Sequence, residues 1–305
     1  LFFFGLLFLL LVSFISATVG PVNISIYDIF DIILTQLHLP TLFASSEINQ
    51  AFRTVIIDIR LPRIIMGVIV GSSLGIAGAI LQGLFRNPLI DPGFIGVSSG
   101  AAVGAMIVIM FSSLFTFMTG TYIQFLLPIF SMIGGMFTTL LVYRMSKVSG
   151  KTNIMAMLLS GIAINAFSGS IIGFLVYRAT DVELRSFTFW TLGSLDGASW
   201  MVISISLLFL FFPIFIAIGV RKKLDIFMLG DSDAAYLGIN VELLKRKIII
   251  TSSVLVGVTV AFCGMIGFIG LVTPHLVRLL LGPSHKKLIF GSALLGAIIL
   301  VSADF

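Results

Sequence analysis

Charged residues and cysteine are both scarce in this chain. Only 10% of its 305 residues are charged, whereas 58% are hydrophobic. Soluble domains carry about 25% charged residues, so the composition excludes an ordinary water-soluble fold. The one cysteine, Cys263, lies in an apolar run. A single cysteine excludes a disulfide framework and a cysteine-based metal site.

Catalytic constellations are also missing. The chain has three histidines, no His-x-x-x-His spacing, no Ser/His/Asp set and no paired carboxylates within an apolar run. Gly150-Lys151-Thr152 imitates the end of a phosphate-binding loop, but Met145 stands where that motif needs its first glycine. We interpret these residues as a short turn. The sequence therefore predicts no enzyme activity, no metal site and no cofactor bound by the chain.

Long apolar runs fill the sequence. Each run of about 20 residues can cross about 30 Å of hydrocarbon, and the crossings must be helical because lipid cannot satisfy free backbone groups. We predict an all-α polytopic membrane helix bundle. Nine spans are expected, at 1–19, 64–85, 94–115, 121–143, 153–177, 201–220, 247–263, 265–281 and 288–305. Residues 247–281 are read as two crossings, since one helix of that length would be about 52 Å long; Gly264, Gly267, Gly270 and Pro274 offer breaks.

Basic residues orient the bundle. With the N-terminus inside, the inner loops hold 13 of the 18 Lys and Arg residues, at Arg86 and within 144–151, 221–247 and 278–287. This bias follows the positive-inside rule. Membrane topology therefore explains the net charge of +5 better than nucleic-acid binding does.

Several local features are predicted within this topology. The outer segment 20–63 contains an amphipathic helix that begins near Ser25, and the inner loop contains a short helix that Asp231 or Ser232 could cap and Gly238 could end. Small residues spaced four apart, Gly71 with Gly75 and Gly100 with Gly104, predict close helix packing.

Two stretches carry a family resemblance. In residues 60–104, a basic doublet precedes a helix rich in small residues, which breaks at Asn87-Pro88-Leu89-Ile90-Asp91-Pro92-Gly93 and restarts on glycine and serine. Residues 264–278 form a second glycine-rich signature that ends in Pro274, His275 and Arg278. Together they resemble the FecCD-type permeases, the membrane subunits of ATP-binding-cassette (ABC) importers for iron complexes and cobalamin.

The resemblance covers essentially the whole chain and carries several expectations. It implies a single permease domain over 1–305 with about ten transmembrane helices, nine of them visible and the C-terminal one missing. It also implies a homodimer in the cytoplasmic membrane of a bacterium, with two ATPase subunits that use the ATP and one solute-binding protein. The alternatives from other classes are a secondary transporter driven by an ion gradient, which would need buried acids within its spans, and a membrane-embedded enzyme.

The resemblance also assigns roles to residues at both ends of the bundle. Arg60 and Arg63, around Pro62, match the pattern that meets glutamates on the binding protein; interfacial anchoring is the alternative. A coupling segment that fits a groove on the ATPase is expected at Leu229, Gly230, Asp231, Ala234, Leu237 and Gly238; the alternative is a solvated connector. Thr152 and Asn153 fall where the family has its inner gate.

The fifth predicted span and one outer loop bear on the cargo. Ser160, Asn165 and Ser168 either line the pathway, as the resemblance implies, or form hydrogen bonds between helices. Residues 179–200 look most like the loop of haem permeases, so haem is the first candidate, followed by ferric siderophore and cobalamin. His275 is interpreted as structural, and Asp304 has no assigned role.

Overall fold

A computed structural model describes residues 2–22, 24–36, 39, 50–112 and 123–305. Within them the chain forms helices α1 (Phe2–Thr18), α2 (Ile26–Gln36), α3 (Gln50–Thr54), α4 (Leu61–Phe85), α5 (Val97–Met110), α6 (Ile123–Met145), α7 (Ile154–Arg178), α8 (Asp181–Leu192), α9 (Trp200–Phe227), α10 (Asp231–Tyr236), α11 (Val241–Cys263), α12 (Ile269–Leu281) and α13 (His285–Ala303). A π-helical turn, Val55–Arg60, joins α3 to α4, and a 3-10 turn, Pro92–Ile95, precedes α5. Two short antiparallel strands, β1 (Lys147–Val148) and β2 (Lys151–Thr152), lie between α6 and α7.

The predicted all-α membrane bundle is confirmed. In the described part of the chain, six helical segments are long and apolar enough to cross a membrane, and three shorter apolar helices accompany them. These nine correspond one to one with the nine predicted spans. The ends of two predicted spans, 113–115 and 121–122, lie outside the described residues.

Helix α4 forms the centre of the bundle. In its most apolar stretch, 78% of the residues are buried, and the helix packs against α13, α11, α12 and α9. A Cβ on Gly71 or Gly75 would overlap the carbonyl of Gly296 or Ser292 on α13. These two predicted small residues therefore allow direct backbone contact between α4 and α13, as in other membrane bundles.

The second predicted glycine pair packs in the same way. A Cβ on Gly100 would overlap Thr138 and the Gly134 carbonyl on α6, and a Cβ on Gly104 would overlap the carbonyl of Phe130. Helices α5 and α6 are therefore held together at backbone distance. Both small-residue predictions are confirmed.

The region between α11 and α12 contains the predicted break, but α12 is shorter than expected. The chain leaves α11 at Gly264, whose φ is +71°, and re-enters a helix at Ile269. Gly270 and Pro274, two of the proposed break points, lie inside α12. With 13 residues, α12 is about 20 Å long, and it is shorter than the predicted span 265–281.

Besides the short helix α3, the outer segments contain one predicted helix and one longer helix that was not predicted. Helix α2 is the amphipathic helix expected after Ser25. Helix α8 begins with a capping box, in which the Thr180 side chain accepts from the Glu183 amide and the Glu183 carboxylate accepts from the Thr180 amide. Thr-x-x-Glu is a sequence signature of a helix start, so this pattern could have predicted α8.

Candidate functional site

Residues from five segments meet at the inner end of the bundle, the end that holds α10. Helix α10 follows Gly230, whose φ is +138°, and it ends where Gly238 adopts a φ of +81°. Asp231 is the first residue of the helix and makes no cap, and Ser232 does not cap it either, so the predicted capping role is corrected. The prediction that Gly238 ends the helix is confirmed.

The two sides of α10 differ sharply. Ala234 is fully buried, whereas Leu229, Tyr236 and Leu237 are 64%, 89% and 61% exposed. These large apolar side chains lie beside charged loops rather than within a span. Large apolar side chains that are exposed outside the spans are typical of a protein contact.

The Asp231 carboxylate lies between two cations. Arg86 Nη2 contacts Oδ1 at 2.7 Å, and Lys245 Nζ contacts Oδ2 at 2.7 Å. Burial alone would raise the pKa of Asp231, but hydrogen bonds and charge attraction from Lys245 and Arg86 outweigh it and lower the pKa. The carboxylate is therefore held in its ionised form.

Arg86 is itself fixed by the end of α9. It takes a left-handed conformation with φ of +51° at the end of α4. Its Nε donates to the Phe227 carbonyl at 3.0 Å, and its guanidinium lies 4.2 Å from the centre of the Phe227 ring. Arg86 therefore anchors α10 to both α4 and α9.

The predicted gate residues Thr152 and Asn153 lie directly after a β-hairpin turn. Ser149 and Gly150 form that turn with φ of +49° and +79°, so Gly150-Lys151-Thr152 is a turn and strand, as interpreted from the sequence. Asn153 caps α7 by accepting from the Ala156 amide at 3.0 Å.

Thr152 is almost fully buried and bonded on both sides of its backbone. Its amide and hydroxyl donate to Glu242 Oε2 at 3.0 and 2.8 Å, and its carbonyl accepts from Lys245 Nζ at 2.8 Å. Helix α11 therefore supplies both groups that hold Thr152 in place.

At the outer end, the two predicted docking arginines have different surroundings. Arg60 is 8% exposed and donates to the carbonyls of Ala17 and Val22 at 2.6 and 2.7 Å. Arg63 stays 36% exposed and forms ion pairs with Asp196 and Asp304. In this structure Arg63 is the more accessible of the two, and Arg60 joins the end of α1 to α4.

The polar residues of α7 face two directions. Ser160 and Ser168 are 8% and 3% exposed and lie on the side of α7 that packs within the subunit. Asn165 accepts from the Ser99 hydroxyl at 2.7 Å, donates to the Gly93 carbonyl at 3.2 Å and lines a cavity with Asp91. The orientation of the two serines favours contacts between helices, and Asn165 alone of the three lines this cavity.

His275 shows no metal-site environment. Among the residues that the structure describes, no group of three or more His, Cys, Asp or Glu side chains is placed to hold a metal ion.

Comparison with known proteins identifies the family. The profile of the FecCD transport family matches residues 7–305. The chain belongs to the FecCD transport family.

Curated FecCD relatives extend over nearly the whole chain. The hemin transport system permease protein HmuU of Yersinia pestis is 36% identical over 99% of this chain and 85% of its own length. The cobalamin import system permease protein BtuC of Halobacterium salinarum is 32% identical over 97% of this chain and 85% of its own length. The chain is therefore a permease subunit and not an enzyme, as the sequence predicts.

A solved structure shares the architecture of this FecCD chain. An inward-facing ABC transporter assigned to the metal-chelate type is 29% identical, with a TM-score of 0.83 over 99% of this chain and 88% of its own. The comparison supports the multi-pass membrane topology.

Sequence reasoning missed the side chains that connect the predicted sites of this FecCD permease. Arg86 and Lys245 were recognised only as basic residues of the inner loops, Glu242 had no predicted role, and Asp304 had no assigned role. One signal was present, because Glu242 and Lys245 lie three residues apart on one helix face. Glu242 and its partner Thr152 lie 90 residues apart in the sequence, and no local pattern encodes a contact over that separation.

Proposed function

We propose that this chain is the permease subunit of an ATP-driven importer in the bacterial cytoplasmic membrane, forming one permease domain over 1–305. Haem is the first candidate cargo, and ferric siderophore and cobalamin are the alternatives within the family. The resemblance of residues 179–200 to haem permeases and the hemin relative support this order. The binding protein above the membrane would select the chelate.

The exposed apolar side chains on and beside α10 support its proposed coupling role. Leu229, Tyr236 and Leu237 are exposed, while the buried Ala234 packs the helix against the bundle. These three exposed side chains form the ridge of α10 that a partner protein would contact. An ATPase subunit with a matching groove would move this ridge when it binds and hydrolyses ATP. The Thr152–Asn153 gate would then change between outward and inward states.

Two copies of the chain would enclose the pathway. Among the six long helical segments that the structure describes, α7 is the least covered, with 17% of its most apolar stretch buried. Gly169 and Gly173 lie on its open side, and no described atom lies within 4 Å of a Cβ added to either glycine. Elsewhere in this chain, glycines at this spacing pack against another helix, which supports a second subunit on this face. Asn165 would line the resulting path, with Ser160 and Ser168 behind it.

Docking of the binding protein would take place at the outer end. Arg63 is the better placed of the two arginines because it is partly exposed and one of its partners, Asp196, is 71% exposed. An acidic group on the binding protein could replace Asp196 at the guanidinium. Arg60 would contribute by holding α1 against α4.

An ion-gradient mechanism is less well supported. It needs an ionisable group free to exchange ions within the spans. Asp304, the acid late in the last span, is paired with Arg63.

The test is reconstitution of the permease in proteoliposomes with its ATPase subunits and binding protein. We expect uptake of haem that requires ATP and is abolished when the ATPase subunits are omitted. Uptake driven by an ion gradient without the ATPase would contradict the proposal. Uptake of a ferric siderophore or cobalamin instead of haem would correct the cargo alone.

A further inference from the structure

Lys245 is the side chain that joins α10 to the hairpin at Thr152. Its ammonium contacts Asp231 Oδ2 at 2.7 Å and the Thr152 carbonyl at 2.8 Å, and the Glu242 carboxylate lies 3.7 Å away. An ammonium has three donors, and these three oxygens surround it. The lysine side chain is 4% exposed, so water offers it little alternative solvation.

The two segments that Lys245 joins line one cleft. Asp231, Ser232 and Ala235 contribute to it from α10, and residues 148–149 and 151–155 contribute from the hairpin and the start of α7. Glu242 and Lys245 line the same cleft. The ammonium of Lys245 therefore connects α10 directly to the hairpin through polar contacts, so a displacement of α10 can act on the hairpin.

We propose that Lys245 is a positioning residue that transmits the movement of α10 to Thr152. The inference rests on the proposed coupling role of α10 and the proposed gate at Thr152–Asn153. A buried ammonium is strongly disfavoured when it loses a partner. When the ATPase moves Asp231, Lys245 keeps its contacts only if the Thr152 carbonyl moves with it.

The surrounding bonds give Thr152 and Asp231 a second anchor each. Glu242 holds the amide and hydroxyl of Thr152, so the carbonyl and amide sides of this residue move together with α11. Arg86 holds the other oxygen of Asp231 and is bonded to α9. Asp231 thus retains one anchor when Lys245 is removed, and α10 should remain folded and able to bind the ATPase.

The first experiment replaces the ammonium with an apolar side chain of similar length. Lys245→Met is assembled with the ATPase and binding protein in proteoliposomes, and cargo uptake and ATP hydrolysis are measured together. We expect assembly and ATP hydrolysis to persist while cargo moved per ATP falls by about tenfold. Lys245→Arg, which keeps the charge, should recover part of the ratio. Arg246→Met is the matched control, since Arg246 is the exposed neighbour on the same helix, and it should leave the ratio unchanged.

The second experiment does not depend on how the Lys245 variants fold. Spin labels are placed at the exposed positions Lys151 and Ser232 through Lys151→Cys and Ser232→Cys, with Cys263→Ala, and a second pair joins Lys151 to Lys287. We expect the 151–232 distance to stay constant when ATP binds while the 151–287 distance changes.

The outcomes separate the inference from the proposed function. Absence of ATP-driven uptake by the unmodified transporter would contradict the proposed function. Normal uptake per ATP in Lys245→Met, or separation of positions 151 and 232 on ATP binding, would overturn the role of Lys245 while leaving the importer intact.

Discussion

Arg63 and Asp304 join the start of α4 to the end of α13 across 241 residues of sequence. Arg63 Nε donates to Oδ2 at 2.6 Å and Nη2 donates to Oδ1 at 3.0 Å, so the pair is bidentate. Asp304 is only 14% exposed. The pair is placed where the two central helices meet at the outer end, and it gives Asp304 a structural role.

Removing the Asp304 charge should destabilise the permease. Hydrogen bonds to charged groups contribute about 1.5–3 kcal/mol, so we expect Asp304→Asn to lower the free energy of unfolding by roughly that amount. The midpoint of thermal unfolding in detergent measures it. Asp196→Asn is the control, because Asp196 contacts the same guanidinium but is 71% exposed. Equal destabilisation by both variants would contradict the assignment.

Asp196→Asn should strengthen docking of the binding protein. Asp196 occupies Arg63 in the free permease, and an exposed ion pair of this kind contributes about 0.2–1 kcal/mol. Its removal should tighten docking by up to about fivefold, with the gain lost at high salt. Surface plasmon resonance on the permease in nanodiscs measures this. Unchanged or weaker docking would show that Asp196 does not compete at Arg63.

Charge on the ridge of α10 should block ATPase assembly. Leu237→Asp places a carboxylate in the proposed contact without disturbing the buried Ala234. We expect loss of ATPase co-purification with little change in the unfolding temperature of the permease. Val148→Asp is the matched control, an exposed apolar residue on the nearby hairpin. Normal assembly of Leu237→Asp would argue against α10 as the coupling helix.

Bulk on the open face of α7 should weaken the homodimer. Gly169→Leu adds a side chain where the proposed interface needs a close approach, and overpacking typically costs about 1–3 kcal/mol. Native mass spectrometry of the purified permease measures the dimer fraction. Gly219→Leu is the control, since Gly219 on α9 is equally open and should not affect dimerisation. A full dimer in Gly169→Leu would place the interface elsewhere.

The contacts of Asp231 predict how the inner end responds to acid. Its pKa is lowered in the folded protein by Lys245 and Arg86, despite burial. The contribution of the carboxylate is therefore fully present above its unfolded pKa of about 3.9 and is lost as pH falls through the lower folded value. We expect the backbone-amide protection factors of the 221–247 loop, measured by hydrogen exchange, to be constant from neutral pH to about pH 5 and to decline below about pH 4, and Asp231→Asn to remove this dependence. Loss of protection between neutral pH and about pH 5 in the unmodified chain would contradict it.

The spans were predictable because each depends on a local property. Runs of apolar residues specify a helix of membrane length, and the glycine pairs on α4 and α5 specify close packing wherever a partner helix lies. The break between α11 and α12 was predicted from Gly264 and Gly267, but the length of α12 was not, since the sequence does not show that the chain stays non-helical as far as Phe268.

Only separate parts of the candidate site could be proposed from the sequence. The proposed coupling segment and the proposed gate each match a position in the family pattern, so residues 229–238 and 152–153 could be named as candidates. The link between them depends on Lys245, which reads as one of several basic residues in an inner loop. Its burial follows from how α11 packs beside the hairpin, which is a property of the tertiary structure.

The backbone contact between α4 and α13 limits where this protein can bend. Gly71 and Gly75 bring the two helices so close that neither can slide or tilt without a clash with the carbonyls of Gly296 and Ser292. The two helices therefore behave as one rigid body in the middle of the subunit. Conformational change is left to the sparsely covered helices at its periphery, so hinges should be sought at the ends of α7 and α9 and not within α4 or α13.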